Sequence, residues 1–298
     1  MTRPAHHGVL AVLAVALTLA GCGSHQGLTT DPDSTATVSV TPARNLPRPA
    51  HVVVVILENH AEKQVLGHSS APYLTALANT GARFSNSHGV AHPSQPNYIA
   101  LFSGSTQGVT GDGCPQNLGA RPNLAQQLQQ AGDTFTGYSE NLPRTGYTGY
   151  TGCTGSGGYA RKHNPWVDFS NVPAASNQPY TDFPTQLSTL PTVSFIIPNL
   201  CHDMHDCNVA TGDHWAHDHL PSYLTWAHTH NSLLIVTFDE DEGTTSNHIP
   251  TFLIGPMVKP TTVSQPIDHY NVLRTIEDMY GLQPLGHARQ ASALTKWN

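Results

Sequence analysis

The sequence predicts an α/β fold in which helices cover both faces of a largely parallel sheet. Two apolar segments rich in β-branched residues, 51–57 and 233–238, have the composition of strands buried on both faces. Strand-like and helix-like segments alternate along most of the chain, which is typical of parallel sheets connected by helices. Both apolar segments lead directly into oxygen-bearing side chains. These side chains would lie at the carboxyl edge of the sheet, where open α/β proteins place their binding sites.

The first half of the chain contains the strand over 51–57 and then alternating shorter elements. A helix is expected over 71–81, because Leu74, Leu77 and Ala78 have helical spacing and a glycine follows them. Beyond it, short β-branched or aromatic runs favour strands, and runs of good helix formers favour helices. The elements expected from these compositions are a strand, two helices and a strand, at residues 83–87, 97–103, 123–131 and 134–138.

The second half opens with a long region, 141–191, that is dense in Gly, Tyr, Thr, Asn and Pro. We expect it to be irregular, and either functional or partly disordered, because structureless loops of this length are uncommon in compact domains. Asp213 is expected to cap a helix over 213–230, and Gly281 to end a helix over 268–280. The apolar runs between these helices predict strands at residues 192–197, 233–238 and 251–254.

Residues 1–48 are expected to lie outside the fold. Arg3 precedes an apolar run that is too short to be a convincing membrane span, and the Leu-Ala-Gly-Cys tetrapeptide ending at Cys22 resembles a bacterial lipobox. Cys22 would then be lipidated; a plain secretory signal with an incidental cysteine is the alternative. Residues 23–48 predict a disordered tether, and residues 49–298 one catalytic domain. We therefore expect an exported protein, lipid-anchored at the outer face of the cell membrane or secreted.

Composition excludes some partners and predicts cross-links. The formal net charge is -7, only 11% of residues are charged, and no dense basic patch favours nucleic acid. The membrane is expected to be contacted only through the N-terminal lipid, and the chain to be a monomer. Besides Cys22 there are four cysteines, which allow three pairings in an exported protein. We favour Cys114–Cys153 and Cys201–Cys207, the second bracing an ionisable segment. A zinc site is the alternative, but no Cys-x-x-Cys pair supports it.

Oxygen-bearing pairs follow both buried-type strands. Glu58 and Asn59 come directly after the first, and Asp239 and Glu240 open a run of four acids after the second. An isolated acidic run is usually a solvated turn, but the same pattern at two strand ends favours a site for a cation. Oxygen ligands of this kind suit Mg, Ca or Mn. Whether one or two ions bind is left open by the sequence.

Ser94 is the candidate nucleophile. Pro96 falls in the first turn of a predicted helix, which places Ser94 at or near the cap. An ordinary capping serine is the simpler interpretation. A hydroxyl at this position, however, faces backbone amides and the positive end of the helix dipole, which suits a phosphate, and a metal ion can activate it.

Five short motifs in a fixed order resemble one known family, and they cover nearly all of residues 49–280. They are Glu58-Asn59-His60, His92-Pro93-Ser94-x-Pro96-Asn97-Tyr98, Arg161-Lys162-His163-Asn164-Pro165, Pro198-Asn199-Leu200-Cys201-x-Asp203-Met204-His205-Asp206 and Phe238-Asp239-Glu240. The chain resembles the bacterial phosphoesterase family of secreted acid phosphatases and phospholipases C, a branch of the alkaline phosphatase superfamily. The resemblance implies a three-layer α/β/α sandwich and phosphate-ester hydrolysis through a phosphoserine-type intermediate.

The resemblance also implies roles for individual residues. Glu58, Asn59, Asp239 and Glu240 would be metal ligands, and Ser94 the nucleophile. The groups implied around the phosphate, or at a second metal position, are His163, Asp203 and His205, with Asn97 and His163 binding substrate. His163 or His205 would protonate the leaving group, and recruitment of His205 as a ligand would favour Zn or Fe. The roles of His202, His214, His217 and His219 stay open.

The function we expect is an exported metal-dependent phosphatase of phosphate monoesters. Its substrate would be a phosphorylated small molecule, a phosphoinositide or a phosphoprotein. The first alternative is a phospholipase C or other phosphodiesterase of the same family, but family phospholipases tend to carry extra C-terminal modules, and this chain ends shortly after residue 280. The second is a non-catalytic metal- or ligand-binding lipoprotein. The presence of Ser94 together with both acid pairs argues against it.

Overall fold

The computed structural model describes residues 46–150, 153 and 158–298. The expected signal peptide, the lipidation at Cys22 and most of the expected tether lie outside these residues. The end of the tether does not, because Leu46 packs against the core and Arg48 forms an ion pair with Asp133 at 2.9 Å. Within the described part of the chain, no helix has the length and apolar character needed to cross a membrane.

The elements of the domain are ten strands and seven α-helices among the described residues. The strands are β1 His51–Leu57, β2 Ala82–Phe84, β3 Ser87–His88, β4 Phe135–Ser139, β5 Asn177–Pro179, β6 Val193–Ile197, β7 Ser232–Phe238, β8 Thr251–Ile254, β9 Thr261–Val263 and β10 Ile267–Asp268. The helices are α1 Glu62–Val65, α2 Pro72–Asn79, α3 Ser94–Ser103, α4 Leu124–Gln130, α5 Val209–His219, α6 Pro221–Ala227 and α7 His269–Tyr280.

Eight strands form one sheet in the order β5-β4-β6-β1-β7-β8-β2-β9, and β3 pairs with β10 separately. Neighbours in the large sheet are parallel except at β8, which runs antiparallel to both β7 and β2. Strands β1 and β7 are adjacent and in register, with Leu57 opposite Phe238. The two strands therefore deliver their following residues to the same edge of the sheet.

Successive residues of β1 belong to two different hydrophobic cores. Val52, Val54 and Ile56 pack with residues of α3, α4 and α7, whereas Val53, Val55 and Leu57 pack with residues of α2, α5 and α6. This alternation follows from the two-residue period of a strand. The result is a three-layer α/β/α sandwich with a largely parallel sheet, which confirms the predicted fold class.

The helix predicted over 213–230 is wrong in its extent and its cap. Pro221 cannot donate a backbone hydrogen bond, so the chain breaks there into α5 and α6. Asn208 caps α5, and its side chain accepts from the Thr211 amide. Asp213 lies inside α5, and its carboxylate instead accepts from the backbone amides of Tyr73 and Leu74, 3.2 and 2.8 Å away, at the start of α2.

The region expected to be irregular, 141–191, is more ordered than predicted where the structure describes it. It contains β5 and several short 3-10 helices, including Arg161–His163 and Pro165–Asp168. Trp166 packs flat against β4, where a Cβ on Gly137 would lie 2.2 Å from its ring, so only glycine allows this approach. The packing fixes His163, three residues earlier, against the carboxyl edge of the sheet.

Candidate active site

The four residues after β1 and β7 lie side by side at the carboxyl edge of the sheet. The Asp239 amide donates to Leu57 O at 3.0 Å, and the Asn59 amide donates to Asp239 Oδ1 at 3.2 Å. Asn59 has a φ of 49°, in the left-handed region that asparagine tolerates, and this turn directs its amide toward Asp239. The sequence prediction that both pairs converge is therefore met by the backbone itself.

Ser94 lies between these two strand ends. It is the first residue of α3, which begins three residues before the predicted helix, and Pro93 occupies the N-cap. Its Oγ lies 3.0 Å from Glu58 Oε2 and 2.9 Å from Glu240 Oε1. A hydroxyl has one proton and can donate to only one of these carboxylates at a time. The buried hydroxyl is therefore surrounded by more acceptors than it can satisfy.

The Asn59 side chain joins the same group of oxygens. One atom of its amide lies 2.9 Å from Glu58 Oε2 and 3.3 Å from Glu240 Oε1. With nitrogen at that position the amide donates to both carboxylates. With oxygen there, Asn59 adds a third oxygen facing inward, as a cation ligand would.

A second wall of the site is formed by His163 and Asp203. His163 Nε2 lies 3.1 Å from Glu58 Oε1, and His163 Nδ1 lies 3.4 Å from Asp203 Oδ2. All three side chains are fully buried, and their possible ligand atoms lie within 4.8 Å of one another. The backbone amide of Glu58 donates to Asp203 O at 2.8 Å, which ties the loop after β6 to the end of β1. Glu58 therefore belongs to both groups of candidate ligands.

The buried carboxyl groups of the site favour the binding of a positive charge. Burial, then repulsion from Asp203, raises the pKa of Glu58 well above its usual range, and burial followed by Glu58 does the same to Asp239. Burial lowers the pKa of His163 well below its usual range, so the imidazole is neutral. Asp203 Oδ2, Asp239 Oδ2 and both His163 nitrogens are buried without a hydrogen-bond partner among the described residues. Carboxylate oxygens left unpaired in a dry site, beside a neutral imidazole with one free lone pair, fit a divalent cation, and together with the fold they indicate a metal ion.

Two residues of the Ser94 motif that the sequence reasoning left without a role also line the site. Tyr98 lies one helical turn after Ser94, donates its hydroxyl proton to Glu58 Oε1, and stacks on the His163 ring with centroids 4.8 Å apart. His92 Nδ1 hydrogen-bonds Glu240 Oε2 at the solvent edge. Although burial lowers its pKa, this bond to Glu240 and the Thr244 carbonyl raise it overall. The i, i+4 spacing of Ser94 and Tyr98 could have revealed the first of these contacts.

Lys162 is a further residue that sequence reasoning missed. Its Nζ lies 2.6 Å from Asp112 Oδ2, and the other oxygen of Asp112 accepts from the Gln95 amide in the first turn of α3. The charge of Lys162 partly opposes the rise that burial causes in the pKa of Glu58, and it adds to the lowering that burial causes in the pKa of His163, so this cation faces the site. Its position next to His163 in the sequence was the feature that could have identified it. Its ion-pair partner Asp112, however, is 50 residues away in the chain.

The loop that carries Asp203 and His205 is closed by a disulfide. Both predicted pairs, Cys201–Cys207 and Cys114–Cys153, are present in the structure. The His205 amide donates to Asp203 Oδ1 at 2.8 Å, and its partly exposed ring lies 6.0 Å from the His163 ring, centroid to centroid. The structure thus places His205 beside His163 and Asp203.

Asn97 does not fit the direct role in substrate binding that the resemblance implies. Its Oδ1 accepts from the amides of Val90 and Ala91 at 2.9 and 3.0 Å, and its Nδ2 donates to the carbonyls of Ala91 and Pro93. These four bonds saturate the buried amide. Asn97 therefore holds the loop that leads into Ser94 and is a positioning residue.

Comparisons with known proteins relate the chain to a family of phosphoesterases. The model of the Phosphoesterase family matches residues 64–283. The chain is 48% identical over 255 residues to the phosphatidylinositol-3-phosphatase of Mycobacterium tuberculosis, covering 85% of this chain and 84% of that protein. It is 32% identical over 227 residues to the phosphate-repressible acid phosphatase of Penicillium chrysogenum, covering 72% of this chain but only 55% of that protein.

Solved structures show the same fold at low sequence identity. An alkaline phosphatase superfamily protein from Vibrio parahaemolyticus superimposes with a TM-score of 0.64 at 11% identity, over 86% of this chain and 72% of that one. The phosphonate monoester hydrolase of Agrobacterium radiobacter gives a TM-score of 0.53 at 13% identity, over 84% and 79%. With its alkaline phosphatase-like fold and its named relatives, the chain belongs to the Phosphoesterase family and is a hydrolase that acts on phosphate esters.

Proposed function

We propose that this protein is an exported, metal-dependent phosphatase that hydrolyses phosphate monoesters through Ser94. The observation that carries the proposal is the position of the Ser94 hydroxyl, at the start of α3 and within 3.0 Å of both Glu58 and Glu240. Backbone amides in the first turn of α3 favour a phosphate beside that hydroxyl. Export and lipid anchoring rest on the lipobox-like sequence around Cys22.

Different residues around Ser94 would carry out different steps of the hydrolysis. A divalent ion held by Glu58, Asn59, Asp239 and Glu240 would neutralise phosphate oxygens and favour the ionised hydroxyl. Either carboxylate in contact with Ser94 can accept its proton as Oγ attacks phosphorus. Lys162, released from Asp112, would pair with a non-bridging phosphate oxygen. Expulsion of the leaving alkoxide leaves phosphate on Ser94, which water then removes.

His205 is the group we assign to protonating the leaving alkoxide. His163 is fully buried and neutral, so it is a poor proton donor. It is better suited to act as a metal ligand or as the ring on which Tyr98 stacks. His205 lies beside it, is 28% exposed, and can exchange protons with solvent. Oxygen ligands alone suit Mg, Ca or Mn, whereas a set that includes an imidazole suits Zn or Fe.

The substrate we propose is a phosphoinositide, since the Mycobacterium tuberculosis relative is a phosphatidylinositol-3-phosphatase. The decisive experiment compares hydrolysis of p-nitrophenyl phosphate, bis-p-nitrophenyl phosphate and phosphatidylinositol 3-phosphate in vesicles, with and without a chelator. We expect monoester turnover that the chelator abolishes and added metal restores. Faster turnover of the diester would favour the phosphodiesterase alternative, and no turnover of any ester would favour a binding protein.

A further inference from the structure

The outer face of α5 carries a second cluster of metal-ligand residues, apart from the candidate active site. His214, His217 and Asp218 have the spacing i, i+3 and i+4, so they share one face of the helix. Their side chains are 76, 63 and 50% exposed. One ligand atom from each lies within 4.8 Å of the other two. No residue of this cluster contributes to the site around Ser94.

The spacing of these atoms is close to that of a coordination sphere. Two ligands of a tetrahedral ion with bonds of about 2.05 Å lie about 3.4 Å apart. His214 Nε2 is 3.4 Å from Asp218 Oδ2, and His217 Nδ1 is 2.9 Å from Asp218 Oδ1. The two imidazole rings are almost parallel, at 8°, with centroids 6.2 Å apart.

Neighbouring residues hold the cluster in place and leave room beside it. The Tyr73 ring meets His217 edge-on at 5.3 Å, and Asp213 fixes α5 to α2 through the amides of Tyr73 and Leu74. An open groove of about 610 Å³ runs alongside, lined by Ser69, Ser70, Pro72, Tyr73, Ala210, Asp213, His214 and His217. Three protein ligands leave at least one coordination position, and the groove admits water to it.

We propose that this face of α5 binds one transition-metal ion through His214, His217 and Asp218. Two imidazoles and one carboxylate suit Zn²⁺, Ni²⁺ and Cu²⁺, whereas Mg²⁺ and Ca²⁺ need more oxygen ligands. Among the divalent ions of the first transition row, the general order of affinities predicts the tightest binding for Cu²⁺.

The test counts bound Zn²⁺ per chain by equilibrium dialysis and calorimetry at neutral pH. The variant is His214→Ala/His217→Ala, and the matched control is His228→Ala/His230→Ala, which also removes two exposed histidines. We expect the variant to lose one Zn²⁺ equivalent while keeping its hydrolysis of p-nitrophenyl phosphate, and the control to bind as the unaltered protein does.

Electron paramagnetic resonance with Cu²⁺ gives an independent readout. A signal with hyperfine coupling to two imidazole nitrogens should be present in the unaltered protein and the control, and lost in the variant. The same Zn²⁺ stoichiometry and Cu²⁺ spectrum in variant and control would overturn the proposal, and the three residues would then be a solvated ion-pair network. Binding of Mg²⁺ that is lost in His214→Ala/His217→Ala but kept in the control would also overturn it.

Discussion

At the scale of single residues, the proposed chemistry depends on which acceptors surround Ser94. Its hydroxyl is buried between carboxylates from two adjacent strands, and Tyr98 and His163 complete the wall behind Glu58. Burial raises the free-energy cost of ionising Glu58, and the hydrogen bonds that Tyr98 and Ser94 donate offset it only in part. A group of acids so enclosed is stable only when protonated or when neutralised by a cation.

Ser94→Ala should abolish turnover and leave the fold intact. Removal of the attacking oxygen from a nucleophilic mechanism typically costs about a thousandfold or more in kcat. The folded state loses only the contacts of one hydroxyl with Glu58 and Glu240, of which one at a time can be a hydrogen bond. Steady-state kinetics on p-nitrophenyl phosphate, with circular dichroism and melting as the folding control, provide the measurement. A folded variant with the original kcat would remove Ser94 from the mechanism.

Asp239→Asn should lower metal affinity and activity together, while Asp241→Asn serves as its matched control. The Asp239 carboxylate has a buried oxygen with no hydrogen-bond partner in the described part of the chain, whereas that of Asp241 accepts from the amides of Gly243, Thr244 and His248. Loss of a direct ligand should cost about a hundredfold or more in metal affinity. Elemental analysis and metal titration check this. Full metal occupancy in Asp239→Asn, or equal losses in both variants, would contradict the proposed ligand set.

At the scale of elements, loops and helix ends place the groups that the sheet does not carry. The loop after β6 is closed by Cys201–Cys207 with a sequence separation of 6, and the 3-10 helix Arg161–His163 is fixed through Trp166 packing on β4. Both segments are too short to be stable by their own hydrogen bonds. Their geometry depends on cross-links and on neighbours that the rest of the fold supplies.

Cys201→Ser/Cys207→Ser should lower kcat more than it lowers thermal stability. Closing so short a loop stabilises the fold by about 2 kcal/mol in the chain-entropy estimate, against about 4 kcal/mol for Cys114–Cys153, whose separation is 39. A small misplacement of Asp203 and His205 can cost about a hundredfold in rate.

Kinetics and melting of both double variants check this prediction. We expect the Cys114→Ser/Cys153→Ser protein to show the larger fall in melting temperature. If the Cys201/Cys207 variant keeps its kcat but melts far earlier, the bridge is structural and does not position the site.

At the scale of the whole molecule, one buried carboxyl links stability to pH. Glu277 on α7 is fully buried, and its Oε1 accepts from the Leu285 amide at 2.8 Å, which anchors the segment after α7. Its other oxygen has no hydrogen-bond partner among the described residues. Burial raises the pKa of Glu277 to about 8, so the folded protein holds this carboxyl protonated at neutral pH.

The unaltered protein should lose stability as pH rises, and Glu277→Gln should not show this loss. Between the ordinary carboxyl pKa and about 8, the folded state binds a proton that the unfolded state has released, so the free energy of unfolding falls with rising pH. The shift corresponds to a contribution on the order of 4 kcal/mol, lost by pH 8. Glutamine keeps the acceptor for Leu285. Urea unfolding of both proteins across this pH range measures the difference between their free energies of unfolding. A difference that does not vary with pH would refute the raised pKa of Glu277.

Much of the fold and part of the site could be predicted because they depend on local pattern. The continuous apolar runs at β1 and β7 and the acids that follow them are read within a dozen residues, and adjacent parallel strands bring such ends together. The break at Pro221 was also readable, since proline ends a helix wherever it falls inside one. The prediction failed there because the periodicity on either side continues across it.

The sequence alone determined the long strands, the acids at their carboxyl ends and the Ser94 entry to a helix, because strand period and residue type are local properties. Four cysteines allow three pairings, and the tertiary structure decided which of them forms. Only the tertiary structure decided that Asp213 caps α2 and that Asp112 holds Lys162, at separations of 140 and 50 residues. It also decided that Asn97 is saturated by backbone groups. Burial and hydrogen-bond partners belong to the folded arrangement, and no local pattern specifies which distant residue will supply them.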